Sequence, residues 1–484
     1  MTKLHLVIEE NTKKKIKEMQ NLKRSYSNMI IRCLGQNQKL KIFTPSTLEL
    51  DDIDVSNDSL AKFLNSNDKL VIKDCQKSHH ENSSTLNSLK SLSLLASSWT
   101  TLKMFPSCKN IQELKIDGFS KYYLNEKSDQ ACLTAFMTGQ RELETLIIVN
   151  YFPLDDDAIT SAKYNLKQFS VRLFANLKDV KDEIKLNACL LQIMARHKDT
   201  LENLEITVKG ENLMEFIMKN LKVQRLFVTA ELLPTNHQVY LKIHPNPHLK
   251  KLIICRQIPN SKAVQGLIRI YPRIESLIIK SCQPEDINEA LIVFASTLKS
   301  LKSLHLDVLP LNTPNAPMPS LRTFYVNDQH KIENFLEFCS NIPSIETLAL
   351  SGFEAADVTI ENIEIMTSRL TQLQHIKFGN EFKLTSEMLD IFSRNCPKLR
   401  LIEEFKYFNK SKNNVTHGRI QVVSFSHFNS HVFKEEETLW NESDANVDSD
   451  DIREYEEQEY VGEEEDEDQY MDDDDYAEDE DQDM

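Results

Sequence analysis

The sequence predicts an α/β solenoid, with a parallel inner sheet and outer helices, and three observations predict it. The first is a phrase, apolar-x-x-apolar-x-apolar, that recurs from Leu89 to about Phe405. Clear copies are Leu143/Leu146/Ile148, Leu201/Leu204/Ile206, Leu249/Leu252/Ile254, Ile274/Leu277/Ile279, Leu301/Leu304/Leu306 and Ile345/Leu348/Leu350. Copies begin at 89, 111, 143, 166, 201, 223, 249, 274, 301, 321, 345, 373 and 399, which makes 13 with a mean spacing of about 26. The second observation lies between the phrases. Cys132–Phe136, Leu186–Met194, Leu213–Met218, Val264–Ile270, Ile287–Phe294, Ile332–Phe338 and Met388–Phe392 space their apolar residues by three and four, as a helix with one buried face requires. The third is a phased proline. Pro247, Pro272, Pro319, Pro343 and Pro397 each stand two places before a phrase, where they end a helix and suit an extended entry.

A phrase of this kind at this period is the leucine-rich-repeat signature. The predicted fold is therefore a leucine-rich-repeat solenoid (a horseshoe) whose unit runs strand, turn, helix, turn. One unit cannot bury its apolar face, so neighbours must stack to bury it. With parallel strands about 4.8 Å apart, the array from residue 89 to 405 presents an inner face of about 60 Å.

Taken in order, residues 1–88 read as degenerate opening repeats forming a cap. Leu4, Leu6 and Ile8, then Met29 and Ile31, Leu48 and Leu50, and Leu70 and Ile72 alternate as strands do. Lys13–Lys23 reads as a charged helix, and 76–88 as a solvated loop containing His79 and His80. Within the array the longer intervals are expected to carry loops at Ser120–Ser128 and Asn176–Glu183. Residues 406–434 read as a C-terminal cap, with a closing strand at Arg419–Phe425, because an open array end exposes backbone groups. Residues 435–484 form an acidic tail that is expected to be disordered, since its charges repel and its apolar content is low.

The net charge of −17 hides two electrostatic objects. After Lys434 stand 27 of the 74 acidic residues and only Arg453 of the 57 basic ones, which leaves the tail near −26 and the rest near +9. The tail could bind a basic partner, confer solubility, or fold back on the basic body. Only nine glycines are present, with no glycine-rich nucleotide fingerprint or Walker-type loop, which argues against a nucleotide-dependent enzyme. No catalytic motif is found, so the chain is expected not to be an enzyme and to take no cofactor or small-molecule substrate. The nine cysteines are odd in number and lack C-x-x-C spacing; Cys282, Cys339 and Cys396 near repeat boundaries read as reduced core thiols. His79/His80 have only Glu81 at ligand spacing, and His427/His431 lie in a segment that alternates like a strand and need not share a face, so no metal site is expected. No signal peptide or run of about 18 apolar residues is visible, so a cytoplasmic or nuclear location and no membrane contact are expected.

The candidate binding surface lies on the inner face. Counting from the first apolar residue of each phrase, positions three, five and seven point away from the core. Position five runs Lys115, Ile147, Ser170, Glu205, Phe227, Ile253, Ile278, His305, Tyr325, Ala349 and Lys377. Phe227, Ile253, Ile278, His305 and Tyr325 would stack as a solvent-facing apolar ladder on the concave face, where a protein substrate could lie.

Pro272-Arg273-Ile274, Cys339 followed by Pro343-Ser344-Ile345, and Asn395-Cys396-Pro397-Lys398-Leu399 resemble the repeats of F-box/leucine-rich-repeat proteins. The openings Met1–Leu6 and Ser25–Ile31 resemble the segment that follows the F-box in that family. The resemblance spans about 1–430. It implies a substrate receptor of a cullin–RING ubiquitin ligase, acting in protein degradation. No F-box pattern occurs within the sequence, so ligase subunits are expected as partners only through an F-box upstream. The overall layout also resembles acidic leucine-rich nuclear proteins, which implies histones or other basic proteins as partners of the tail.

Overall fold

In the structure, a computed structural model, residues 3–6, 47–51, 69–73, 89–95, 102, 108–117, 126–150, 164–173, 180–234, 236–255, 261–280, 284–309, 315–327, 332–352, 358–379, 384–405 and 414–425 are described. By internal contacts the chain divides into two units. The first comprises Met1–Glu404 and Lys412–Ser424; the second comprises Phe405–Ser411 and Phe425–Met484. The repeat array belongs to the first unit. Residues 13–23, Met29, Ile31, 76–88, Cys282, His427, His431 and the tail lie outside the described residues.

The strands are β1 (Lys3–Leu6), β2 (Thr47–Asp51), β3 (Lys69–Lys73), β4 (Ser91–Leu95), β5 (Glu113–Asp117), β6 (Thr145–Val149), β7 (Gln168–Arg172), β8 (Asn203–Ile206) and β9 (Arg225–Thr229). They continue as β10 (Lys251–Cys255), β11 (Ser276–Ile279), β12 (Ser303–Leu306), β13 (Thr323–Asn327), β14 (Thr347–Ser351), β15 (His375–Phe378), β16 (Leu401–Phe405), β17 (Asn414–His417) and β18 (Ile420–Phe425). Each of the thirteen phrases begins two residues before one of β4–β16. From β1 to β16 each strand pairs in parallel with the next in sequence. The chain is a leucine-rich-repeat solenoid.

The register follows from the phrase. Positions four and six, such as Leu226 and Val228 on β9, join one continuous core with helix residues including Leu213, Ile217, Leu267 and Phe392. Position two supplies a second, polar repeat. Its carbonyl accepts the amide hydrogens of positions two and three in the next unit, as from Glu144 and Thr145 to Gln112, or from Glu346 and Thr347 to Arg322. This pairs backbone groups at each strand entry, where a buried orphan would be costly.

Eight-residue and longer helices cover the core-facing side of the sheet: Glu126–Gly139, Val180–Arg196, Glu211–Asn220, Ser261–Ile270, Pro284–Thr297, Ile360–Arg369 and Ser386–Asn395, with shorter ones at His237–Leu241 and Ile332–Phe338. All seven segments read as amphipathic fall in helices. Glu126–Gly139 and Val180–Arg196 also take in parts of the two expected loops, because Lys127, Lys181 and Glu183 are good helix formers. The helix Ile360–Arg369 has buried Ile363 and Met366 at helical spacing but was not anticipated. Its start is capped by Thr359, whose hydroxyl accepts from the Asn362 amide at 3.2 Å. Thr385 does the same for Met388 in Ser386–Asn395.

The five phased prolines do more than end helices. Each opens a two-residue turn, and in three cases a backbone bond closes it: Leu321 to Met318, Ile345 to Ile342 and Leu399 to Cys396, at 3.1, 3.3 and 3.0 Å. Proline stands second in each of these turns, where its fixed φ suits a type I or II turn. Helices pack closely where a glycine allows it. A Cβ on Gly266 would lie 2.3 Å from Cγ of Tyr240, whose hydroxyl donates to the Pro234 carbonyl at 3.1 Å. After β16, β17 and β18 form an antiparallel hairpin through Gly418, at φ 58°, and β18 returns to pair with β16. Ile420 and Val422 of β18 are buried. Cys108, Cys132, Cys189, Cys255, Cys339 and Cys396 are buried. Burial pushes Cys108 and Cys396 up to about 12, which suppresses the reactive thiolate.

Candidate functional site

The strands have two faces, and only one belongs to the core. Phe227, Ile253, Ile278, His305 and Tyr325 are absent from the continuous core that their strand neighbours at positions four and six enter. They lie instead in one unbroken row. Phe227 is the register partner of Ile253, Ile253 of Ile278, Ile278 of His305, and His305 of Tyr325. The row continues at one end to Glu205, Ser170 and Ile147, and at the other to Ala349, Lys377 and Glu403. His305 and Tyr325 meet edge-on, with ring centroids 3.9 Å apart.

The five residues are together as expected, but they are not solvent-facing. Phe227, Ile253 and Ile278 are 3, 4 and 2% exposed, and His305 and Tyr325 are 8 and 7% exposed. Strand spacing contributes to this burial. Phe227, Ile253, Ile278 and His305 each have a long side chain about 4.8 Å away on either side, while Tyr325 has His305 on one side and Ala349 on the other. The row forms a buried floor instead of an exposed ladder. The flanking columns are in part accessible, although Thr229 and Cys255 at position seven are buried. Arg225, Lys251, Ser276, Ser303 and Thr323 at position three are half-buried, as are Lys280 and Asp307 at position seven, while Asn327 is exposed.

Charge clusters flank the apolar floor, and sequence reading of single columns missed both. On β7 and β8, Arg172 Nε donates to Glu205 Oε1 at 2.7 Å and Nη2 to Oε2 at 3.0 Å, a two-point clamp; Ser170 Oγ adds a bond to Oε2 at 2.7 Å. Both charged residues are 6% exposed. On β15 and β16, His375 Nε2 lies 3.5 Å and Lys377 Nζ 3.6 Å from the Glu403 carboxylate. His375 first, and then Lys377, hold that carboxyl below the usual glutamate range, against the opposing effect of burial. The signal was available in the position-five series, which held Ser170, Glu205 and Lys377. Their partners Arg172 and His375 stand in the neighbouring columns, two residues away along the strand.

Elsewhere, His197 is buried at a helix end, stacked on Tyr164 with centroids 5.5 Å apart. Its Nδ1 accepts from the Leu166 amide at 3.4 Å, and burial, aided by Arg196, pushes it down to about 4. This histidine is a neutral packing group. Among the described residues no group of three metal-ligating side chains is found, and no helix is long and apolar enough to cross a membrane.

No family model and no curated protein matches the chain. Among solved structures, it is similar to Rad7 in the yeast complex of Rad7 and Elc1, at 14% identity and a TM-score of 0.35, covering 85% of this chain and 94% of that one. It is similar to an internalin from Listeria monocytogenes at 15% identity and 0.34, covering 77 and 92%. The leucine-rich-repeat protein LegL7 from Legionella pneumophila matches at 11% and 0.27, covering 73 and 91%. These values carry no functional argument; the repeat fold rests on the phrase, register and core described above.

Proposed function

We propose that the chain is a non-enzymatic scaffold that holds a protein partner on the face of its sheet opposite the described helices. The observation that supports this reading is the row from Phe227 to Tyr325, an ordered apolar floor outside the core and rimmed by polar columns. An apolar centre with a polar rim is the usual anatomy of a protein interface. The finer reading is a substrate receptor of the F-box/leucine-rich-repeat kind, working in the cytoplasm or nucleus, and it draws on the sequence resemblance of the repeats.

The test is partner capture by the full chain, by a chain ending at Lys434, and by Ser276→Arg/Ser303→Arg. The arginines stand on the rim of the floor and leave the buried row untouched. The expected result is that capture survives loss of the tail and is lost in the double arginine variant. If the arginine variant folds and keeps every partner, the scaffold reading fails. If only basic proteins are captured, only with the tail, and salt abolishes it, the chain acts through its acidic segment instead.

A further inference from the structure

At one edge of the array each helix ends and the next strand starts, and at β9–β11 this edge is basic. Residues 219–225, 242–251 and 269–274 lead into these three adjacent strands and contain no acidic residue. Lys219, Lys222, Lys242, Lys250, Arg269 and Arg273 are all exposed there, as are His244 and His248. The strands pair in sequence, so the three segments lie side by side. Asn246 ties them together: its Nδ2 donates to the Leu221 carbonyl and its backbone amide to the Ile270 carbonyl, both at 2.6 Å. Its loop therefore bridges the segments that carry Lys222 on one side and Arg269 and Arg273 on the other. In the position-two column Glu202 and Glu275 border the patch, and Glu275 lies 2.7 Å from Lys302 Nζ. Lys219 and Arg269 stand in the last turns of their helices, where a cation answers the helix dipole. Lys222, Lys250 and Arg273 stand beyond the helices and add charge that the dipole does not call for.

We propose that this strand-start edge binds the phosphate backbone of a duplex nucleic acid, without reading its bases. A protein interface calls for an apolar centre. Here Leu221, Val223, Ile243, Leu249 and Ile270 are buried, and Leu241, 46% exposed, is the one large apolar side chain on the surface beside the patch among the described residues. What the edge offers is charge, which is what backbone binding uses. A single strand calls for aromatic side chains on which bases stack, and the one phenolic or indole ring of the three segments, Tyr271, is fully buried. The inference does not rest on the scaffold reading, which concerns a different surface.

The test uses the full chain with labelled DNA duplexes of about 20 base pairs in two unrelated sequences, an oligothymidylate and a polyglutamate peptide, read by fluorescence anisotropy. Both duplexes are expected to bind alike, with an affinity that falls about 100-fold between about 50 and 200 mM salt, as four neutralised phosphates would give. Arg269→Gln/Arg273→Gln and Lys222→Gln/Lys250→Gln should each weaken duplex binding about tenfold at low salt and lower the salt slope by about two. Lys209→Gln/Lys262→Gln makes the same change of net charge at exposed positions of the opposite edge, and should leave binding within about twofold of the parent. All three variants should melt with the parent, since exposed substitutions away from the core cost little. Should one strand-start pair fail to fold, the other decides. The inference is overturned if neither duplex binds at about 100 µM chain in low salt, or if the opposite-edge pair weakens binding as much as the strand-start pairs. It is also overturned if oligothymidylate binds more tightly than the duplexes, or if polyglutamate binds with the same dependence on Lys222 and Arg273, which would make the edge a site for an acidic protein.

Discussion

The middle and the flanks of the column that faces away from the core are buried to a similar degree by different means. From β9 to β13 the column is Phe227, Ile253, Ile278, His305 and Tyr325, whose side chains need only close neighbours to leave water. At β7–β8 and β15–β16 it carries charge, and each charge is matched within the fold: Glu205 by Arg172 and Ser170, Lys377 by Glu403. Packing is forgiving of chemistry but sensitive to volume; a buried charge is the reverse. Arg225 lies at the boundary between the two regions; it is half-buried, and its Nη2 is buried without a hydrogen-bond partner.

Removing one half of the clamp should break the comparison most severely. Arg172→Leu leaves Glu205 buried and unpaired, and is expected to cost about 3–5 kcal/mol in urea unfolding. The double change Arg172→Leu/Glu205→Leu should recover most of that loss, which would show that the penalty comes from the stranded charge and not from lost packing. In the apolar region, Ile253→Ala should cost about 2–3 kcal/mol through lost burial and a partly filled cavity. A cost near zero would mean that the floor does not pack as a floor.

The Glu403 cluster offers a subtler test through pH. Its carboxyl titrates lower in the folded chain than in the unfolded one, so its contribution is present above the unfolded value and is lost as pH falls through the folded value. Glu403→Gln should therefore be less stable than the parent at neutral pH and should lose less on acidification, as read from melting temperatures between about pH 7 and pH 3. An identical acid limb in both would remove Glu403 from the account. The smallest effect is expected on the solvent-exposed edge. Lys302 Nζ lies 2.7 Å from Glu275, but their side chains are 63 and 38% exposed, and Lys302→Ala should cost less than about 1 kcal/mol.

Much of the fold was legible because its information is local and repeated. A leucine at position four and an isoleucine at position six mean the same thing in every unit, so thirteen copies reinforce one another and fix both strand position and register. Phased proline marked the turns for the same reason, although its role as second residue of a turn emerged only from the backbone. Helices were legible where apolar spacing was dense. Ile360–Arg369 was missed because its apolar stripe is short and interleaved with Glu361 and Glu364. The candidate site was only half legible. Reading down one column found the row from Phe227 to Tyr325, but could not see the diagonal from Arg172 to Glu205, which joins position seven of one strand to position five of the next.

What the sequence determined by itself is therefore the periodic part: strand, turn and helix, the parallel order of the sheet, and which residues share a face. Those follow from backbone geometry and apolar spacing, which act over a few residues and are written in every unit. Only the tertiary structure decided which side chains on that face are hidden and which charges are answered. Exposure depends on the bulk of neighbours brought about 4.8 Å away from repeats more than twenty residues distant. Which acid answers which arginine is likewise set across strands, as where Arg172 on β7 holds Glu205 on β8.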